Sequence, residues 1–170
     1  TFKIVALEWH ENEKGKWDYD AFEAAAKAIT KDTNNDGEID VFGIATWWLD
    51  GFAWGNAGYY VSFNKSGKLE SGMNSNSLLT GLSFYQRMMQ YNNAAAEATF
   101  KAGNAGMWVE RRFAEPTLYA LEKAGRLNFE YGYAPFPYGP DNKDKYNIVD
   151  SDGYAIGADS KNPAAAGKCI

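Results

Sequence analysis

Apolar residues recur along the chain in two rhythms, and the switch between them marks out the elements. Phe22, Ala26 and Ile29 fall three and four apart, so the segment opened by Trp17-Asp18-Tyr19-Asp20-Ala21-Phe22 is predicted to be helical. Asp18 suits an N-cap, and Trp17 before it is placed to staple onto Phe22 at the fourth helical position. After a polar stretch, Val41-Phe42-Gly43-Ile44-Ala45-Thr46 reads as a buried strand and Tyr59-Tyr60-Val61-Ser62-Phe63 as another, with Asn64-Lys65-Ser66-Gly67-Lys68 as a turn. The helical rhythm returns from Asn76 or Ser77 at Leu78, Leu82, Tyr85 and Met89, and again over residues 94–102 until Gly103 stops it. Gly106-Met107-Trp108-Val109 predicts a short buried strand. A third helix follows over residues 114–124, with Pro116 in its first turn and Gly125 at its C′ position. Residues 128–157 read as short strands punctuated by Pro135, Pro137, Pro140 and several glycines, before Asn162-Pro163 starts a last helix.

One stretch fits neither rhythm. Trp47-Trp48-Leu49-Asp50-Gly51-Phe52-Ala53-Trp54-Gly55-Asn56 sets three indoles among Gly, Asp and Asn, and reads as a loop. Rings presented from a loop suit stacking on a flat, partly apolar ligand such as a sugar; the alternative is that they cap a core.

Composition narrows the classes. The 170 residues suit one domain, burying roughly two-thirds of the unfolded surface. No apolar run approaches the ~20 residues of a membrane span. Acidic residues outnumber basic ones by 22 to 17, for a net charge of −5, which disfavours nucleic acid and anionic membranes as partners. A single cysteine, Cys169, permits no internal disulfide. The final helix has barely begun at Ile170, so the chain is expected to be a fragment.

Asp32-Thr33-Asn34-Asn35-Asp36-Gly37-Glu38-Ile39-Asp40 places oxygen donors at alternate positions around a glycine. Asp32, Asn34, Asp36, Asp40 and the Glu38 carbonyl would supply most of a calcium ion's oxygens, pinning helix to strand. Gly43 stands where an EF-hand has its bidentate Glu, so the loop is EF-like only; an Asx-rich turn without metal is the alternative. His10, the sole histidine, lacks the partners that a metal site or general base needs and reads as structural or solvated. Phosphate-binding glycine loops, zinc spacings and nucleophile elbows are absent. A glycosidase pair of Glu110 with Asp50 or Asp152 is conceivable. Trp108, Glu110 and Arg111 equally suit hydrogen bonding to ring hydroxyls beside an aromatic platform, or a strand end with solvated charges.

Five segments in register add up to a family likeness. These are Trp17 to Phe22, the acidic loop with the strand after it, Phe100-Lys101-Ala102-Gly103-Asn104-Ala105-Gly106-Met107, Pro135-Phe136-Pro137-Tyr138-Gly139-Pro140, and Gly153-Tyr154-Ala155-Ile156 with Ser160-Lys161-Asn162-Pro163. In order and spacing the chain resembles the extracellular solute-binding proteins of sugar ABC transporters, of the maltose-binding type. It departs from them at Gly106, at Arg111-Arg112 and over its first sixteen residues.

The resemblance implies an α/β fold, mainly the C-terminal lobe of a type II periplasmic-binding-protein clamshell, with helices packed on a small mixed sheet. Residues 1–170 would then be a single domain cut from a two-lobed protein. It implies a monomeric, non-enzymatic substrate-binding component, extracytoplasmic and in some members a lipoprotein, that closes on a sugar or oligosaccharide and delivers it to an ABC permease. No cofactor is required, a structural Ca2+ in the acidic loop aside. Ligand contacts would map to Trp47, Trp48, Trp54, Asn56, Trp108, Glu110, Arg111, Asp152 and Tyr154. The loop ligands would be Asp32, Asn34, Asp36, Glu38 and Asp40. Half a clamshell should bind sugar weakly. A carbohydrate-active enzyme or a stand-alone carbohydrate-binding module would share the tryptophan platform; a module should be a β-sandwich and an enzyme should oppose two carboxylates across the aromatic cleft.

Overall fold

A computed structural model describes residues 16–146 and 155–168. His10, Asp152, Tyr154 and Cys169 lie outside the described residues.

The first helix, α1 (Tyr19–Ile29), begins as its sequence dictates. The Asp18 carboxylate accepts from the Ala21 amide at 3.0 Å, and the Trp17 ring meets Phe22 edge-on at 5.8 Å. The chain then passes through the acidic loop into β1 (Phe42–Ala45). β1 is the centre of a three-stranded parallel sheet, flanked by β4 (Asn92–Asn93) and β5 (Ala105–Trp108), with Ile44 opposite both Asn92 and Met107. Helix α4 (Ala96–Lys101), ended by Gly103 at φ +79°, feeds β5. α5 (Glu115–Lys123) follows a 3-10 turn at Arg112–Ala114, and Gly125 at φ +64° closes it, where a residue with a Cβ would be strained. The last element is α6 (Pro163–Ala166).

Two hydrophobic clusters meet at the sheet. The larger joins Trp17, Tyr19 and Phe22 of the α1 end to Ile44, Met107, Phe52, Phe84 and Met88. The smaller joins Ala45 and Ala105 to Ala96, Phe100 and Leu118. Full burial of side chains such as Phe52, Ile44 and Leu78 stabilises by about 1.5–3 kcal/mol each. Close approach is set by small residues: a Cβ on Gly43 would lie 2.2 Å from the Ala26 carbonyl oxygen, so α1 rests directly on the β1 backbone.

The tryptophan-rich stretch departs from the loop that its sequence predicts: it forms helix α2 (Leu49–Gly55), packed on α3 (Asn76–Met88). Its glycines are there for contact. A Cβ on Gly51 would sit 2.7 Å from the Trp48 ring, one on Gly55 2.7 Å from the Phe136 ring, and one on Gly81 of α3 2.5 Å from the Phe52 carbonyl.

Two smaller differences have plain causes. Among the described residues β2 (Val61–Phe63) pairs antiparallel with β3 (Leu69–Ser71) as an exposed hairpin beside the parallel strands. Residues 128–146 form no strand beyond an isolated bridge between Asp18 and Tyr138, because three prolines remove the donors a ladder needs. That segment docks through other bonds. The Trp17 indole donates to the Pro135 carbonyl at 2.9 Å, and buried Asn142 donates to Gly55 O at 3.1 Å.

Candidate functional site

In open α/β sheets ligands bind outside the carboxyl ends of the strands, and here all three parallel strands end on one rim. The rim is built by hydrogen bonds between the strand exits. Asn92, on β4, accepts from the Thr46 amide at 2.8 Å and donates to the Thr46 carbonyl at 3.0 Å. The Thr46 hydroxyl reaches Val109 O at 3.3 Å and accepts from the Trp48 amide at 3.0 Å. These bonds hold the residues after β1 and β5 at fixed spacing.

The rim carries Trp47 and Glu110, each two residues beyond the paired Ala45 and Trp108. The Trp47 indole N–H donates to Glu110 Oε2 at 3.2 Å, and Glu110 Oε1 accepts from the Arg111 amide at 2.8 Å. Trp47 is 55% exposed, and its edge is tethered while a face stays available for stacking. Phe113, 68% exposed, lies on the turn after Arg111, and sequence reasoning did not single it out. Its signal was an aromatic side chain in a polar, glycine-free turn.

The expected contact residues divide. Trp48 is taken into the core at 6% exposure, edge-on to Trp54 at 6.0 Å and to Phe136 at 6.2 Å, with the Arg111 guanidinium 5.5 Å from its ring centre. Asn56 is fully buried and structural: its amide donates to Ser77 O at 2.8 Å and Asp141 Oδ2 at 2.9 Å, and its oxygen accepts from the Asp141 amide at 2.9 Å. Both were expected to face a ligand; as the two caps of α2, each is buried by its packing and hydrogen bonds among the described residues. Trp54 and Trp108 are half-buried, the latter tilted on Phe100 at 5.4 Å. The indole N–H groups of Trp48 and Trp108 are buried with no acceptor among the described residues.

Asp50 does not face Glu110 as a free partner: it accepts from the Tyr60 hydroxyl at 2.6 Å. That bond to a carboxylate pushes the Tyr60 phenol up to about 12.

The acidic loop is capped by its own amides. Asp32 accepts from Asn34, Asn35 and Gly37, Asn34 from Asp36, and Asp36 from Glu38, at 2.6–3.2 Å. Asp40 accepts from the Thr33 hydroxyl and amide, which hold its carboxyl below the usual range. Among the described residues no three His, Cys, Asp or Glu side chains converge as metal ligands. The oxygens are nonetheless of the hard type that calcium takes, and each amide contact leaves lone pairs on the accepting oxygen.

Among the described residues no helix is long and apolar enough to cross a membrane. The model of the bacterial extracellular solute-binding protein family matches residues 2–170. No curated protein matches the chain.

Proposed function

The chain belongs to the bacterial extracellular solute-binding proteins, solute-binding components of ABC transporters, and on that premise we propose that its solute is a sugar or oligosaccharide passed to a membrane permease. The observation that carries this reading is the Trp47–Glu110 pair on the rim: an exposed ring tethered at its edge by a carboxylate. Sugars present apolar C–H faces to such rings and hydroxyls to such carboxylates. Phe113, Trp108 and Arg111 follow or end the same strand and are proposed as further contacts, together with half-buried Trp54, which packs edge-on to Trp48. Asp152 and Tyr154 are proposed from the family likeness alone.

Closure of a second wall over this rim would desolvate the ligand and couple occupancy to permease recognition. The chain by itself therefore supplies one face of the grip. Tryptophan fluorescence and calorimetry against a panel of mono- and oligosaccharides test this. Weak, millimolar-range binding that responds to substitution at Trp47 supports the reading; micromolar binding by the isolated chain contradicts the half-site, and a response to amino acids but not sugars contradicts the ligand class.

The enzymatic alternative has less support. Glu110 and Asp50 are each engaged with an aromatic donor, and the mixed α/β architecture is not the β-sandwich of a binding module.

A further inference from the structure

A second concave site lies at the start of α5. Glu115, Pro116 and Tyr119 from its first turns face Tyr131 and Tyr133 from the extended segment across a cleft of about 480 Å3, within the range that small molecules occupy. We propose that this cleft binds an organic ammonium cation, held between tyrosine rings and the Glu115 carboxylate.

Its lining is three phenol rings, one proline and one carboxylate. Tyr131 and Tyr133 stand edge to face at 5.8 Å, and Tyr119 and Tyr133 are more than half exposed, so ring surface is open to a ligand. Aromatic faces attract cations through their quadrupole, and methylated ammonium groups, weakly hydrated, are the class best suited to a cage of rings. One ring already carries such a contact: the Lys123 ammonium, one helical turn on, sits 5.2 Å from the centre of Tyr119. Burial, with the charges of Glu122 and Glu115 and contact with Tyr133, pushes the Tyr131 phenol up to about 12.

Choline and its neutral isostere 3,3-dimethylbutanol separate charge from shape. In NMR titration against the chain, choline N-methyl protons should shift upfield on binding, and the isostere should bind at least fivefold more weakly. Glu115→Gln should weaken choline at least threefold with the isostere unchanged. Tyr133→Ala should abolish the shift, and Tyr133→Phe, which keeps the ring, should retain it. Equal binding of choline and the isostere, no shift with choline, or full retention in Tyr133→Ala would each overturn the proposal. Sugar binding at Trp47 is a separate readout, so neither result decides the other.

Discussion

The Trp47 indole N–H and Glu110 Oε2 meet at 3.2 Å across the exits of two parallel strands. Each residue stands two positions beyond a Cα pair of the ladder, so strand register fixes the ring. Replacing Trp47 with Ala is expected to weaken sugar binding tenfold or more, about 1.4 kcal/mol. Stability should stay within about 0.5 kcal/mol, because the side chain is exposed. Calorimetry beside urea unfolding checks both, and unchanged affinity would remove Trp47 from the site.

The adjacent tryptophan should behave in the opposite way. Trp48 is buried between Trp54, Phe136 and Arg111, so Trp48→Ala should cost about 3–5 kcal/mol in urea unfolding. A loss under 1 kcal/mol would mean that the ring is not a core element.

Gly43 tests the fit between α1 and β1. A methyl there would meet the Ala26 backbone at 2.2 Å, so neither side can yield by rotating a side chain. Gly43→Ala is expected to destabilise by about 1–3 kcal/mol, and a neutral outcome would show that helix and strand can separate at little cost.

Tyr60 predicts an alkaline limb. Its folded-state pKa is raised to about 12 by Asp50, so the folded protein keeps a proton that the unfolded chain releases near 10. The contribution is intact below pH 10 and is lost as pH rises from 10 towards 12. Tyr60→Phe should reduce the fall in stability over that window; an identical profile for variant and parent would exclude the Asp50 bond as its source.

Calcium is the proposed occupant of the acidic loop. Asp32, Asp36 and Asp40 place three carboxylates along one short loop, and a bound ion would draw them together. At a tenfold excess over Kd, a bound ion adds about 1.4 kcal/mol to stability. A melting temperature higher in calcium than in chelator, and insensitive to calcium in Asp36→Asn, is the expected result. Equal melting in both would leave the loop as a turn held by its amides alone.

Much of this was legible before any coordinates. Asp18, Trp17 and Phe22 mark the start of α1 because capping and stapling are local, and Gly103 and Gly125 mark helix ends because positive φ is a single-residue demand. β1 and β5 showed as apolar runs. The conformation of residues 47–56 was not legible, because its glycines answer to Trp48 and Phe136, one of them distant in sequence. Burial of Asn56 was equally hidden: its partners Ser77 and Asp141 lie 21 and 85 residues away. Trp47 and Trp48 are adjacent and chemically identical, so composition could not say which one faces solvent.

Three strands that all finish on one border have a further corollary. Exposed positions just past the ladder, such as Trp47, can be exchanged while the pairing of β1, β4 and β5 stays untouched. At such positions side-chain chemistry and the stability of the sheet can thereby vary independently of one another.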